Sequence, residues 1–552
     1  MNKLKLVLKD NREIFVEKGK PIYEIIEENK LRENIPIVLA TINGEIHELA
    51  EKIDKEGNFD VIDTSKSVGV NVYTRSIQFV MIKAVKEVFP DAVVTIEHSI
   101  NRGVIGEIHG EHSLGIDDIP LIKEKMREII EKNFIINKVS VTRLEAINIF
   151  KGYNMDDKVR FLNHLEEDNV KLYELDGLYD YFYGRMAYST GELKYFELNF
   201  YETGFLLRFP LESDPLNIPR FVGYKKLDKI YYETEKWGNI MGVGDVGSLN
   251  DKVVNGDIFN IIRVSEGFHE KKIANIADLI YEKEKIRLVL IAGPSSSGKT
   301  TFARRLAIQL RVNGLVPIPI SLDDYFVDRE FTPKDENGDL DFESIYSLDL
   351  ELFNSNLQDI LEGKEVSIPN YNFKTGKREW TEEKIMLPPN GVLIVEGIHG
   401  LNEMLTSSIP KEQKFKIYIS ALTQLNIDNH NRIFTTDVRI IRRIVRDCLS
   451  RGYGAEDTLK MWASIRRGEE KNIFVFQEEA DTMFNSTLVY ELCILKKYAL
   501  AELSKVEESS PVYYEALRLK SFLAFFKDVD AQMVPENSIL REFVGGSCFY
   551  KY

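Results

Sequence analysis

Cysteine is scarce in this sequence, with three in 552 residues. Cys448, Cys493 and Cys548 lie far apart and form no Cys-x-x-Cys pair. That argues against a disulfide framework and a zinc site, and it suits a reducing compartment. Long apolar runs are missing as well: none approaches the roughly 20 residues of a membrane span. The start, MNKLKLVLKDNREIF, carries charges within its apolar stretch and lacks the apolar core of a secretion signal. The expected location is the cytoplasm, with no membrane partner. Positive charge is in deficit, with 72 Lys and Arg against 88 Asp and Glu, a net charge of −16. Phosphates would be repelled by such a surface, so bulk binding of nucleic acid is disfavoured. A local basic site is still allowed. What is present is an ordinary globular mix, 44% hydrophobic and 29% charged. Disordered and fibrous classes are excluded. At about 100–200 residues per domain the length predicts two to four domains.

Residues 1 to about 65 read as a small α/β unit. Leu4–Leu8 alternates apolar and polar, and Glu13–Val16 resumes after an Asp10-Asn11 turn. Pro21 opens a helical stretch, and Asn43-Gly44 between Ala40–Ile42 and Glu45–His47 predicts a hairpin with a type I′ turn. This is the element order of a β-grasp unit. Residues 66 to about 225 mix helices and strands, with helical spacing at Ile77, Val80, Met81, Ala84 and Val85. Gly238–Gly256 reads as a loop, and Lys271–Lys285 as a helical stretch within a connection over 226–285. From about 286 the texture changes. Ile286–Ala292 is a short apolar run, typical of a strand buried on both faces of a parallel sheet. A helix closing at Asn313-Gly314 follows, then strands at Val316–Ser321, Gly391–Val395 and Phe415–Ile419. The alternation predicts a doubly wound α/β domain.

The sequence between the first strand and helix, Gly293-Pro294-Ser295-Ser296-Ser297-Gly298-Lys299-Thr300, fits GxxxxGK[ST] in the required strand–loop–helix context. Glycines let main-chain N–H groups surround phosphate oxygens, and the helix N-terminus adds positive potential. Lys299 supplies a full charge to the β- and γ-phosphates, and the Thr300 hydroxyl takes a magnesium position. The pattern predicts nucleoside triphosphate binding over Gly293, Ser295–Thr300 and Thr301, with ATP and Mg2+. Two carboxylate positions follow at strand ends, where parallel sheets bind ligands. One is Asp323-Asp324 after the second strand, readable also as a capping turn. The other is Glu396, where a Walker B carboxylate would sit. Arg439, Arg442, Arg443 and Arg446, at i, i+3, i+4 and i+7, share one helix face. The stripe reads either as a clamp over phosphates or as a solvated face paired with Asp437 and Asp447.

These residues resemble the uridine kinase and phosphoribulokinase group of P-loop kinases over about 286–500. The likeness rests on GPSSSGKT, SLDDYF (321–326), DFESIYSLD (341–349), IPNYNF (368–373), VEG (395–397), RRIVRD (442–447) and EEADTMFNS (478–486), in the family's order. The resemblance implies that Asp323 is the general base and that Thr300, Asp323 and Glu396 form the magnesium shell. It implies that Glu343 holds the ribose hydroxyls, that Tyr371 lines the nucleoside pocket and that Arg439 reaches the acceptor. Arg442, Arg443 and Arg446 would lie in a lid that closes on phosphates and excludes water. The catalytic set is then Asp323, Lys299, Arg442 and Arg446. The sequence departs from uridine–cytidine kinases at Gly376, where they have a histidine, at Asn372 for an Asp, and at Glu343 for an Asp. A pyrimidine base is therefore not implied.

Residues 1–65 resemble a TGS domain, and 66–225 the editing domain of threonyl-tRNA synthetase, through YTRSIQFVMIKAVKEVFPDA. Arg75 and Phe79 stand where the editing site has its two histidines, so lost editing chemistry is expected. His98, His109 and His112 lie nearby as an alternative cluster, or as two solvated histidines and one core histidine. The expected organisation is TGS-like 1–65, editing-like α+β 66–225, connection 226–285, P-loop kinase 286–500 and a C-terminal extension 501–552 on the kinase. The expected activity is ATP-dependent phosphorylation, with Mg2+, of the 5′-hydroxyl of a nucleoside, with a uridine- or cytidine-like acceptor as the first choice. The rivals are a sugar-phosphate kinase, and an RNA- or ribosome-associated regulator with tRNA contact through the N-terminal half. Homo-oligomers are compatible with all three.

Overall fold

The computed structural model describes residues 3–550 except 33, 101, 102, 111–113, 336, 337 and 424. The chain divides into two compact units.

The first unit runs to Tyr224 and includes Asp245–Ser248 and Asn426–Arg432. Its N-terminal sheet has the order Glu13–Glu17, Lys3–Leu8, Gly57–Asp63, Ile37–Ile42, Glu45–Glu48, with Lys3–Leu8 and Gly57–Asp63 parallel. Helix Ile22–Glu28 buries Ile22, Ile25 and Ile26 and completes the β-grasp arrangement. Asn43 and Gly44 have φ of 53° and 84°, the pair of positive angles that a type I′ turn requires.

Helix Ser67–Val88 then forms the core of an α+β region with a four-stranded antiparallel sheet, Glu197–Tyr201, Gly204–Arg208, Gly103–His109 and Val93–Ile100. Phe79 is fully buried, with its ring centroid 5.0 Å from that of Phe182. Ser76 Oγ lies 3.9 Å from Met186 Sδ, and Arg75 donates to the carbonyl of Arg185. Phe79 belongs to the buried apolar core of this region, with Val80, Phe182 and Met186. His98 is buried and its imidazole is pushed down to about 3 by burial and by Arg432, whereas His109 is exposed. His112 lies outside the described residues. Among the described residues, no group of three His, Cys, Asp or Glu side chains could hold a metal ion.

The short hairpin Asn426–Asp428 and Asn431–Arg432 brings a fully buried charge cluster into this unit. Lys158 Nζ lies 2.9 Å from Asp180 Oδ1 and 2.8 Å from Asp428 Oδ1, and His430 Nδ1 lies 2.7 Å from Asp180 Oδ2. Asn431 donates to both oxygens of Asp428. Burial works against Lys158 keeping its proton, yet Asp180 and Asp428 hold the ammonium above its ordinary range.

The second unit contains Lys225–Gly244, Leu249–Leu425 and Ile433–Tyr552. Its sheet is entirely parallel, in the order Val316–Ser321, Gly391–Glu396, Leu288–Ala292, Lys414–Ser420, Thr482–Asn485. Leu288, Leu290, Leu393 and Val395 are fully buried, which accounts for the continuous apolar runs of these strands. The strand Thr482–Asn485 has no such run and was not foreseen. Gly238–Gly256 is no loop, because helix Val246–Val254 lies inside it. Asp245 and Ser248 cap that helix reciprocally, with Ser248 N–H donating to Asp245 Oδ1 at 2.7 Å. Helix Ile258–Glu282 lies along helix Lys299–Val312 through Arg305 to Glu270 at 2.7 Å and Gln309 to Glu270.

Replacing Lys158 with Met would remove the ammonium shared by Asp180 and Asp428, leaving Asp180 with His430 and Asp428 with neutral hydrogen-bond donors. The expected cost is about 3–5 kcal/mol, read as an earlier denaturant midpoint for the first unit. A midpoint equal to wild type would contradict this reading of the cluster.

Candidate active site

The loop after Leu288–Ala292 is shaped by two glycines. A Cβ at Gly293 would sit 1.9 Å from the Ile419 carbonyl oxygen, so only glycine lets the backbone pass. Gly298 has φ of 82° just before helix Lys299–Val312. Register then assembles the catalytic edge. Glu396 pairs with both Ile291 and Ser321, so the ends of three neighbouring strands bring the loop, Glu396 and Asp323 to one rim. Ser321 Oγ accepts from Asp323 N–H at 3.3 Å, fixing the turn that carries Asp323 and Asp324.

Thr300 Oγ1 donates to Glu396 Oε1 at 3.1 Å. Burial, reinforced by the charge of Asp323, pushes the Glu396 carboxyl up to about 7. Burial pulls Lys299 below its ordinary value, while Glu396 and Asp323 oppose that shift. Lys299 Nζ donates to the carbonyls of Gly293 and Pro294 at 3.0 and 3.1 Å. Asp324 is pushed up to about 6, mainly by burial, and its Oδ1 accepts from Tyr371 N–H at 3.4 Å. The hydroxyls of Ser296 and Ser297 are buried without a hydrogen-bond partner among the described residues. A divalent cation fits this donor set. Thr300 and Glu396 already touch, and Asp323 adds negative charge that the protein leaves partly unbalanced.

An aromatic group stands on the hairpin strand Val366–Asn372 and around it. Tyr371 packs against Phe326 and Phe373 with centroids at 5.5 and 5.1 Å, and Phe342 meets Phe326 at 6.2 Å. Phe373 and Phe342 are exposed at the edge of this group. Glu343 lies against helix Ala455–Asn472, whose Gly468 leaves the room, since a Cβ there would sit 2.4 Å from Glu343 Cβ. Burial first, then the charge of Glu469, pushes Glu343 up to about 7, against the pull of Arg443 and Lys299. Its Oε2 is buried without a partner among the described residues. His399, buried nearby in sequence from Glu396, is pushed down to about 4 by burial. Asn372 caps the hairpin turn instead, accepting from Lys374 N–H and Thr375 N–H.

The arginine stripe needs correcting. Helix Thr435–Arg446 is not a solvated face, because nine of its residues are buried. Arg439 pairs with Glu469, donates to the Ser295 carbonyl at 3.1 Å and lies 5.4 Å from the Trp462 ring. Arg442 pairs with Glu491 and donates to the Ser486 carbonyl at 2.9 Å and the Ser296 carbonyl at 3.4 Å. In this structure both guanidiniums are buried and spend donors on the phosphate loop's backbone and on internal carboxylates. Ser295 is held on every side: its N–H donates to Glu469 at 2.9 Å and its hydroxyl accepts from Arg443 at 2.6 Å. Asp437 pairs with Arg518 at 2.7 Å rather than with the stripe. Asp447 stays below the ordinary carboxylate range despite its burial, because Arg446, Arg443 and Arg451 surround it. Three guanidiniums against one carboxylate leave net positive charge beside the loop. Sequence reasoning missed Glu469, Glu491 and the bond from Thr301 to Glu542, because long-range ion pairs leave no local pattern.

Residues 288–489 match the model of the phosphoribulokinase/uridine kinase family, which is less than half of the chain. The N-terminal part matches threonine–tRNA ligases. The enzyme of Ehrlichia canis is 32% identical over 162 residues, 29% of this chain and 26% of its own. That of Clostridium novyi is 28% identical over 196 residues, 35% of this chain and 31% of its own. The chain thus spans about a quarter to a third of the length of these relatives. Among solved structures, D-glycerate 3-kinase from Cryptococcus neoformans is 12% identical with a TM-score of 0.28, covering 40% of this chain and 92% of its own. A possible uridine kinase from Bacillus stearothermophilus is 18% identical with a TM-score of 0.25, covering 36% and 89%. One polypeptide therefore joins an N-terminal part similar to threonine–tRNA ligases to a stretch that matches the phosphoribulokinase/uridine kinase family.

Proposed function

We propose that this protein is a kinase that moves the γ-phosphoryl group of ATP to the 5′-hydroxyl of a nucleoside. The observation that carries the proposal is the Thr300–Glu396 contact at the rim shared by the phosphate loop and Asp323. Thr300, Glu396 and Asp323 would hold Mg2+, which would supply positive charge to offset that of the phosphates. Lys299 and the loop's N–H groups orient the β- and γ-phosphates. Asp323 accepts the acceptor's hydroxyl proton as its oxygen bonds to the γ-phosphorus and the bond to the departing ADP breaks. Arg443, Arg446 and Arg451 offset the charge on the transferred group. The cluster of Phe342, Tyr371 and Phe373 offers faces for a base, and Glu343 offers an acceptor for ribose hydroxyls. A sugar phosphate would use the same arginine surplus for its own phosphate.

Incubation with ATP and a panel of nucleosides and sugar phosphates, read as ADP release, separates these acceptors. No ADP above background with any nucleoside would overturn the nucleoside assignment. Asp323→Asn should keep ATP affinity and lose at least about 10²-fold in turnover, the usual scale for a general base. Near-normal turnover would remove Asp323 from that role.

The Glu343 carboxyl accepts from two hydroxyls most strongly when ionised, and burial pushes it up to about 7, so it loses that full acceptor capacity as pH falls through this range. Acceptor kcat/KM should therefore fall as pH drops through about 7, and Glu343→Gln should make that limb shallower, leaving the share that Glu396 contributes. An unchanged limb in the variant would assign the titration to another group.

A further inference from the structure

Two internal carboxylates occupy main-chain N–H groups of the phosphate-binding strand–loop–helix. Glu469, on Ser295, is matched by Arg439 and belongs to the loop's own scaffold. Glu542 has a different origin. It comes from the C-terminal segment, beyond the residues that match the kinase family. Its Oε2 accepts from Thr301 N–H at 3.2 Å and from Thr301 Oγ1 at 2.7 Å, and the Tyr550 hydroxyl lies 2.8 Å from the same Oγ1. Thr301 is fully buried. Around it, Ile539 fills the space beside Gly298, where a Cβ would lie 2.5 Å from Ile539 Cγ2, and Phe543 faces the Arg442 guanidinium at 5.1 Å. Glu542 also lies within the electrostatic field of Lys299 and Arg451.

Thr301 is the residue after the Lys299-Thr300 pair. In a phosphate loop of this type the N–H groups cradle the α- and β-phosphates while the lysine reaches the β- and γ-phosphates. Thr301 N–H and hydroxyl therefore serve the α-phosphate, and a carboxylate oxygen and a phosphate oxygen cannot share them. We propose that Glu542 is a built-in stand-in for the donor's α-phosphate, and that residues 538–550 must withdraw from Thr301 for a nucleoside triphosphate to seat. The segment is then an autoinhibitory contact whose release sets donor affinity. This rests on the nucleotide-donor reading above. An anion confined to the β- and γ-positions, such as pyrophosphate, does not meet Glu542 and escapes the competition.

The test is calorimetric titration of the full chain and of Glu542→Gln with a magnesium complex of a non-hydrolysable ATP analogue, and separately with pyrophosphate. Removing the charge should tighten the analogue at least about tenfold, the scale of one charge-assisted hydrogen bond, and change pyrophosphate affinity by a much smaller factor, through the field at Lys299 alone. A wild-type measurement covers the case of a variant that does not fold: amide exchange over 538–550 should accelerate when the analogue binds. Equal analogue affinity in both proteins, or slowed or unchanged exchange in the segment, overturns the proposal while the donor reading stands. Pyrophosphate binding with no analogue binding to either protein overturns the donor reading and this proposal with it.

Discussion

The site depends on one half-buried contact, Thr300 Oγ1 to Glu396 Oε1. Burying a carboxylate is costly unless positive charge is brought to it. Here the protein supplies Lys299 at the same rim but also adds Asp323, so the acids outnumber their local cation. The rise of Glu396 to about 7 comes first from burial and then from the charge of Asp323. A rim of this kind favours a ligand that arrives as an anion with a divalent cation attached, and the parallel sheet fixes where that ligand stands.

The arginines behave differently. Arg439 and Arg442 are neutralised by Glu469 and Glu491 and spend their donors on carbonyls of the phosphate loop. Those carbonyls would otherwise be buried acceptors without partners, so the ion pairs fix the loop's shape before any ligand arrives. Charge left over for a ligand comes from the three guanidiniums around Asp447. The net charge of −16 is thus a poor guide to local potential. In the first unit the same principle is used for structure alone, where Lys158 is surrounded by Asp180 and Asp428.

What the sequence made legible was what depends on local pattern. The run Ile286–Ala292 followed by GPSSSGKT located the strand, the loop and the helix start, and Asn43-Gly44 located the N-terminal hairpin. Strand Thr482–Asn485 was illegible because its four residues carry too little pattern. Helix Val246–Val254 was hidden by the glycines around it, whereas Asp245 and Ser248 supply its cap. Spacing placed Arg439 and Arg442 correctly on one helix face, but spacing carries no information about what that face meets. Their partners lie 30 and 49 residues away in the chain. For the same reason the pattern at Thr301 gives no sign of Glu542, 241 residues later, whose carboxylate accepts from it.

The measurement that bears most directly on this account follows the phosphoryl group itself. ATP labelled with 18O at the non-bridging γ-oxygens is incubated with the protein, Mg2+ and nucleosides, and the products are weighed by mass spectrometry. The account predicts a nucleoside 5′-monophosphate carrying all of the labelled γ-oxygens. Label recovered solely in inorganic phosphate, or remaining wholly in ATP, would contradict it.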